Sequence, residues 1–293
     1  MKDRLSQSIS HVAVIGSGIM GSGIAQSIVQ SGYNVTLFDT YQSNLDKSFE
    51  QIKANIQKWC DRNGNSEEAV LIVRRLKKAV SIEEISKAEL VIEAITEKLE
   101  SKQKLFLQLE ELVDRNAILA SNTSGISISK IAEPCLYKER VVGTHFFNPV
   151  HKIPLVEIVG GEETAAHTIE TVIGFIRSIS KEPVTVKDVP GFIVNRIITP
   201  MLNEAMLTYE KGIASKEDID IAMKKAMGHP MGPLELSDYI GLDTLLYFME
   251  HVYKDTGNKA YKPGDLLRNM VENGDVGVKS GKGFYMYKKA RSI

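Results

Sequence analysis

The chain has 293 residues, of which 43% are hydrophobic and 25% charged, as is usual for folded globular proteins. Its formal net charge of −1 argues against nucleic acid or an anionic membrane as a partner. No apolar run approaches the roughly 18 residues of a membrane-spanning helix, and the first ten residues lack a signal-peptide core. Cys60 and Cys135 have no metal-binding spacing. We therefore expect a cytoplasmic protein in a reducing compartment, with no metal centre.

The stretch from His11 to Asp39 reads in order as strand, glycine turn, helix, strand and acid. Its glycines follow the spacing G-x-G-x-x-G, which gives a tight turn and lets a pyrophosphate approach the backbone at a helix N-terminus. The acid lies where it would accept a hydrogen bond from a ribose hydroxyl. A glycine turn alone is weak evidence, but the whole order predicts NAD binding. The expected cofactor-binding residues here are Gly16, Ser17, Gly18, Ile19, Met20, Gly21 and Asp39.

Short apolar runs continue to alternate with helical patterns as far as the strand at Val184 to Val186, which predicts a mostly parallel sheet with helices on both faces. From Gly191 onward the pattern is helical, and Pro200 inside the first long helix predicts a kink or break. The fold class is therefore α/β: a Rossmann-type domain over residues 1–187 and an all-α second domain over residues 188–293.

Polar residues follow two of the predicted strands. Ser121 to Gly125 is a polar cluster at the carboxyl end of a strand, where α/β sheets bind ligands, although a plain loop with capping serines is the alternative. The next strand delivers His145, and a further strand carries Glu157. A histidine suits removal of a hydroxyl proton during hydride transfer, and a carboxylate would stabilise the imidazolium that forms. A structural histidine remains the alternative from the residues alone.

At SNTS, HFFNP and PGFIVNR, with HPMGP, IGLD and KSGKGFY further on, the chain resembles the L-3-hydroxyacyl-CoA dehydrogenases, most closely the short bacterial 3-hydroxybutyryl-CoA dehydrogenases. The likeness runs over nearly the whole length. It implies an NAD-dependent oxidation of 3-hydroxyacyl-CoA thioesters and a homodimer formed through the helical domain.

The resemblance also implies roles for single residues. His145 would be the catalytic base and Glu157 its orienting carboxylate, while Ser124 and Asn195 would contact the substrate near the reacting carbon. The residues implied around the cofactor are Glu97, Lys102, Ser124, Asn148 and Lys279. The first-domain helix would contact coenzyme A through Asn55 and Arg62, although its basic face reads equally as a solvated helix surface.

Two departures from the family pattern concern the acyl end of the substrate. Pro154 stands where the family often has lysine, and Gly125 stands where a second serine is usual. Two other functions remain open from the sequence. One is a dehydrogenase of a free hydroxy acid or sugar acid with the same two-domain plan, and the other is a non-catalytic dinucleotide-binding protein.

Overall fold

The computed structural model describes residues 9–287. The first eight residues, which belong to the segment where the sequence lacks a signal-peptide core, lie outside the described residues. The chain divides into two compact units between Phe192 and Ile193. The boundary expected after residue 187 falls a few residues earlier.

The first unit contains one eight-stranded sheet with strand order β3-β2-β1-β4-β5-β6-β7-β8. All neighbouring strands run parallel except β6 and β7, which are antiparallel, so the expected mostly parallel sheet is confirmed. The strands are β1 (His11–Ile15), β2 (Asn34–Phe38), β3 (Leu76–Ala79), β4 (Leu90–Glu93), β5 (Ile118–Ser121), β6 (Val141–Phe146), β7 (Leu155–Gly160) and β8 (Glu182–Lys187).

Helices cover this sheet on both faces, and two apolar clusters result. Alternate residues of β1 belong to different clusters: Val12 and Val14 to one, Ala13 and Ile15 to the other. A parallel strand buried on both faces reads as a continuous apolar run, as this one does. The helices of the unit are α1 (Ile19–Gln30), α2 (Gln42–Arg62), α3 (Glu68–Val73), α4 (Leu99–Leu112), α5 (Ile128–Ala132) and α6 (Ala166–Ser178).

The strand order reverses direction between β1 and β4, which lie side by side although β2 and β3 come between them in sequence. In open α/β sheets, ligands bind in the crevice at the carboxyl ends of the strands that flank such a switch point. The glycine turn follows β1 directly. The loops after Ile15, Glu93 and Ser121 are therefore the expected ligand-binding loops of this sheet.

The second unit is helical around its own apolar cluster. Its helices are α7 (Val194–Glu210), α8 (Lys216–Met227), α9 (Pro233–Ile240), α10 (Leu242–Thr256) and α11 (Asp265–Glu272). Among the described helices of both units, none is long and apolar enough to cross a membrane.

The sequence predicted a kink or a break at Pro200; no break occurs, because α7 runs through this residue. Proline has no amide hydrogen, so the carbonyl of Arg196, four residues earlier, loses its usual helical partner. The hydroxyl of Tyr261 donates a hydrogen bond to that carbonyl at 2.8 Å. A tertiary contact thus replaces the missing hydrogen bond and lets the helix continue.

Candidate active site

The glycine turn after β1 needs glycine for steric reasons at two positions. Gly16 has a φ of +97°, and a Cβ there would lie 2.6 Å from the carbonyl oxygen of Ala94. A Cβ on Gly21 would lie 1.8 Å from the carbonyl oxygen of Gly16. On Gly18, by contrast, a Cβ would meet no protein atom within 4 Å. The bare backbone at Gly18 leaves open space at the start of α1, where a pyrophosphate fits.

Asp39 follows β2 and contacts this turn directly. Its Oδ2 accepts hydrogen bonds from the amide of Ser17 at 2.7 Å and from the hydroxyl of Ser17 at 2.8 Å. Its Oδ1 accepts a hydrogen bond from the amide of Tyr41 at 2.9 Å. The carboxylate therefore fixes the glycine turn as well as standing at the edge of the nucleotide site. Ile19 and Met20 begin α1, and the side chain of Ile19 is exposed.

Glu97 links the loops that follow β4 and β5. Its Oε1 accepts hydrogen bonds from the hydroxyl of Thr123 at 2.6 Å and from the amide and hydroxyl of Ser124 at 2.8 and 3.1 Å. Its Oε2 lies 3.2 Å from Nζ of Lys102. Burial alone would raise the pKa of Glu97, but the charge of Lys102 and the hydrogen bonds from Thr123 and Ser124 outweigh it and lower this pKa. Glu97 is therefore held as a carboxylate beside Ser124.

Lys102 was expected around the cofactor, and the structure buries it completely. Besides Glu97, its Nζ contacts Oε1 of Glu93 at 2.6 Å. Lys102 is thus linked to Ser124 through Glu97, and Glu93 is a charged neighbour that the sequence analysis missed. Its position inside an apolar strand, ELVIEAI, was the only signal that could have revealed it.

His145 and Glu157 stand directly opposite each other on the antiparallel strands β6 and β7. Nδ1 of His145 lies 2.7 Å from Oε2 of Glu157, and both side chains are buried. The rings of Phe147 and Phe192 pack beside the imidazole, with centroids 4.3 and 5.8 Å away. Because Nδ1 faces the carboxylate, proton transfer to a ligand would use Nε2. The pairing that sequence spacing left open is therefore present.

Asn148 lies in the loop after β6 and is exposed. The amide of Phe146, at the end of the strand, donates to the side-chain oxygen of Asn122 at 2.9 Å. Asn122, which belongs to the SNTS motif, thus ties the end of β6 to the end of β5. This contact brings the polar cluster after β5 and the His145 strand to the same edge of the sheet.

Asn55 and Arg62 lie two turns apart on α2. The side-chain nitrogen of Asn55, Nδ2, donates a hydrogen bond to the side-chain oxygen of Gln26 at 3.1 Å. The side-chain oxygen of Asn55 accepts a hydrogen bond from the side chain of Gln51 at 2.9 Å. Arg62 is the last residue of the helix and is exposed. An exposed guanidinium at a helix end is available to an anionic ligand.

Two expected site residues belong to the second unit. Asn195 lies in the first turn of α7. Nζ of Lys279 lies 2.6 Å from the carboxylate of Asp243, in the first turn of α10. Asp243 belongs to the IGLD motif and Lys279 to KSGKGFY, so this ion pair joins two motifs that are distant in sequence.

The site residues carry no grouping suited to a metal ion. Among residues 9–287, no three or more His, Cys, Asp and Glu side chains cluster as metal ligands would. The residues around the glycine turn fit a dinucleotide instead: open backbone at Gly18, a helix N-terminus, and a carboxylate at Asp39.

Comparison with known proteins agrees with this geometry. The profile described as 3-hydroxyacyl-CoA dehydrogenase, NAD binding domain, matches residues 11–189, and the profile of the C-terminal domain of the same enzymes matches residues 191–287. The 3-hydroxybutyryl-CoA dehydrogenase of Clostridioides difficile is 42% identical over 280 residues, covering 95% of this chain and 99% of the relative.

The mitochondrial hydroxyacyl-coenzyme A dehydrogenase of Rattus norvegicus is 40% identical over 288 residues, covering 96% of this chain and 92% of the relative. Among solved structures, the (S)-3-hydroxybutyryl-CoA dehydrogenase of Ralstonia eutropha superposes with a TM-score of 0.93 at 40% identity, covering 96% of this chain and 100% of the other. The chain, with its NAD-binding and C-terminal domains, therefore belongs to the 3-hydroxyacyl-CoA dehydrogenase family.

Proposed function

We propose that this protein is an NAD-dependent dehydrogenase that reversibly oxidises an L-3-hydroxyacyl-CoA to the 3-ketoacyl-CoA, with 3-hydroxybutyryl-CoA as the short-chain substrate. The observation that carries the proposal is the buried contact of 2.7 Å between Nδ1 of His145 and Oε2 of Glu157. It stands in a chain whose two domains both match this family.

His145 and Glu157 perform the acid–base part of the reaction. In oxidation, Nε2 of His145 takes the proton of the 3-hydroxyl group, and Glu157 stabilises the imidazolium and fixes the ring through Nδ1. Bound NAD would supply the hydride acceptor for the same carbon, and NADH the hydride donor in reduction. In that direction the imidazolium of His145 returns its proton to the keto oxygen. The packing of Phe147 and Phe192 against the imidazole restricts its rotation and limits water beside it.

Ser124 and Asn195 orient the substrate with neutral groups. A hydroxyl and an amide can hold the oxygens of a thioester or of the reacting carbon without adding charge to the site. The hydrogen bonds from Ser124 to Glu97 support this role, because they fix the loop that carries Ser124. Asn148 and Lys279 complete the proposed cofactor contacts.

The coenzyme A portion of the substrate is assigned to α2. Arg62, at its exposed end, supplies a positive charge suited to a phosphate of the nucleotide tail. Asn55, two turns earlier, supplies a polar side chain on the same face. Pro154 and Gly125, the two departures from the family pattern, concern the acyl end of the substrate.

The experiment that tests the proposed function compares two substrates of the purified protein. Steady-state reduction rates with NADH are measured for acetoacetyl-CoA and for free acetoacetate. The proposal requires kcat/KM to be much higher for the thioester. Equal or higher efficiency with the free acid would indicate a hydroxy-acid dehydrogenase, and no turnover of either would indicate a non-catalytic dinucleotide-binding protein.

We further propose a cytoplasmic homodimer assembled through the second unit. Of the 18 exposed large hydrophobic side chains among the described residues, nine belong to this unit, although it contains about a third of the chain. Such a concentration of exposed apolar surface is typical of an interface. A reducing compartment is supported by Cys60 and Cys135, which are both buried and both free thiols.

A further inference from the structure

A charged pair lies beneath the loops of the site, at the carboxyl end of β4. The side chains of Glu93 and Lys102 are 0% and 1% exposed, and Nζ of Lys102 lies 2.6 Å from Oε1 of Glu93. Replacing a buried ion pair with apolar side chains of similar volume is often neutral or even stabilising. Folding stability is therefore a weak explanation for this pair, and its connections to the site suggest another.

Both oxygens of Glu93 are fixed. Oε1 also accepts a hydrogen bond from the amide of Ile95 at 2.7 Å, and Oε2 accepts one from the hydroxyl of Ser121 at 2.6 Å. Glu93 and Ser121 are directly paired on β4 and β5. β4 and β5 are interior strands of the sheet, so the carboxylate of Glu93 is held rigidly. This carboxylate in turn holds the ammonium of Lys102 in one position.

Lys102 connects Glu93 to Glu97, which contacts the site. Its Nζ is shared between Glu93 at 2.6 Å and Oε2 of Glu97 at 3.2 Å. The other oxygen of Glu97 accepts hydrogen bonds from the backbone amide and the hydroxyl of Ser124. A continuous chain of contacts thus runs from the interior of the sheet to the exposed serine at the site.

We propose that Glu93 is a positioning residue, which acts through Lys102 and Glu97 to fix Ser124 for the reaction. The inference rests on the proposed function for the role of Ser124. Without Glu93, Lys102 loses its closer partner and is drawn toward Glu97, the remaining carboxylate. Glu97 then turns from the hydroxyl of Ser124, and the serine loses the acceptor that orients it.

The first test uses Glu93→Gln, which keeps the shape and removes the charge. We expect kcat with acetoacetyl-CoA to fall by roughly 10–100-fold, the size of loss seen when the hydrogen-bond partner of a metal-ligating residue is removed. Glu89→Gln is the matched control. Glu89 directly precedes the same strand at its other end and accepts hydrogen bonds from Ser10 and His11, so its loss should leave kcat unchanged.

A double-mutant cycle separates this role from a structural one. If Glu93 acts through Ser124, Glu93→Gln should add little to the loss caused by Ser124→Ala. Losses that multiply would overturn the inference. Ser121→Ala, which removes only one hydroxyl from Oε2 of Glu93, gives the same comparison should Glu93→Gln fail to fold, and its smaller loss of kcat should likewise disappear in the Ser124→Ala background.

An apolar replacement of the pair distinguishes activity from stability. The double variant Glu93→Leu with Lys102→Met should keep the melting temperature of the unmodified protein, or exceed it, while kcat falls. Full activity in this variant would overturn the inference, and so would a loss of kcat that appears only together with a lower melting temperature.

A readout without turnover keeps the inference separate from the proposed function. The amide of Ser124 donates to Glu97 at 2.8 Å, so its NMR resonance reports the position of that carboxylate. We expect this resonance to move in Glu93→Gln and to stay in Glu89→Gln. An unchanged resonance would overturn the inference, even if the protein reduces acetoacetyl-CoA. If the protein fails to reduce acetoacetyl-CoA, the proposed function falls, and the resonance still decides whether Glu93 positions Ser124.

Discussion

At the scale of single residues, the contact between His145 and Glu157 leads to the most direct prediction. His145→Gln removes the proposed proton carrier and should lower kcat by about 10²–10⁴, or roughly 3–5.5 kcal/mol of barrier. The affinity for NADH, measured by fluorescence titration, should stay near that of the unmodified protein. Retention of most activity would mean that the proton acceptor is another residue.

Glu157→Gln provides the second half of this test. The amide keeps the shape of the carboxylate but loses the charge that stabilises the imidazolium, so kcat should fall while the melting temperature changes little. If the two residues share one function, as proposed, the double variant should be little worse than the more impaired single variant. Multiplying effects would show that the residues act separately.

Asp39 holds the glycine turn in addition to its proposed role at the ribose, and this second contact changes the expected outcome of its replacement. Its charge repels a 2′-phosphate, and none of the next four residues is an arginine that could neutralise one. It also holds the amide and hydroxyl of Ser17. Asp39→Ser should therefore narrow the preference for NADH over NADPH and also raise KM for NADH, by about tenfold to a hundredfold.

Ser17→Ala is the matched variant for Asp39. It removes one hydrogen bond to the carboxylate but keeps the charge, so KM for NADH should rise by less and the preference for NADH should stay. The measurement is kcat/KM with each cofactor. Equal efficiency with NADPH in the unmodified protein would refute the role of the charge.

At the scale of single residues, the sequence indicates which polar side chains are candidates for the site, but it does not show which of them are in contact. His145 and Glu157 are 12 positions apart, and only the antiparallel register of β6 and β7 makes them neighbours. Lys102 was expected around the cofactor, and its complete burial and its partner Glu93 follow from the packing of α4 on the sheet. A charged residue in an apolar strand is visible in the sequence, whereas its partner is not.

At the scale of secondary-structure elements, α2 carries the prediction about coenzyme A. Arg62→Ala should raise KM for acetoacetyl-CoA and leave KM for NADH nearly unchanged, because it removes a charge proposed to contact only the nucleotide tail of the substrate. Lys53→Ala is the control. Lys53 lies nine positions earlier, which is half a turn away around the helix. If both variants leave KM for acetoacetyl-CoA unchanged, the surface of α2 around Arg62 is exposed to solvent and does not bind coenzyme A.

Helix α7 makes a testable prediction about stability. Tyr261→Phe removes the hydroxyl that donates to the carbonyl of Arg196 beside Pro200. The carbonyl then lacks a partner, which should lower the free energy of unfolding by about 1–3 kcal/mol. Thermal or urea unfolding measures this loss. Tyr247→Phe is the control, since the Tyr247 side chain is more than half exposed, and it should leave stability unchanged.

Two of the elements that were not predicted from the sequence are β3 and α11, and each has its own physical reason. β3 has the sequence LKKA, with two lysines in four residues, because it is the edge strand of the sheet and such strands carry charge toward solvent. α11 follows a segment rich in glycine and proline and has only eight residues, too few for its periodicity to stand out. The interior strands, which are buried on both faces, were predicted because burial leaves continuous apolar runs.

At the scale of the whole molecule, the division into an α/β unit and a helical unit was predictable, because the change of hydrophobic period near residue 190 reflects a change of packing. The strand order was only partly predictable. Alternation of strands and helices indicates a parallel sheet, but the antiparallel pairing of β6 with β7 depends on a short connection that periodicity does not describe. This antiparallel pairing sets His145 opposite Glu157, the two residues of the proposed acid–base pair.

The assembly of the molecule leads to the last prediction. Ile213 and Met227, both in the second unit, are 69% and 64% exposed, and apolar side chains left in water favour association. Light scattering at micromolar concentration should therefore give twice the chain mass of 32.5 kDa. The melting temperature should also rise with protein concentration, because association stabilises the folded chain by mass action.

Ile213→Glu would introduce a charge at the proposed interface and should weaken the dimer, whereas Leu136→Glu, at an exposed position of the first unit, should not. A monomer mass for the unmodified protein, with a melting temperature independent of concentration, would show that the exposed apolar surface does not join two copies of this chain.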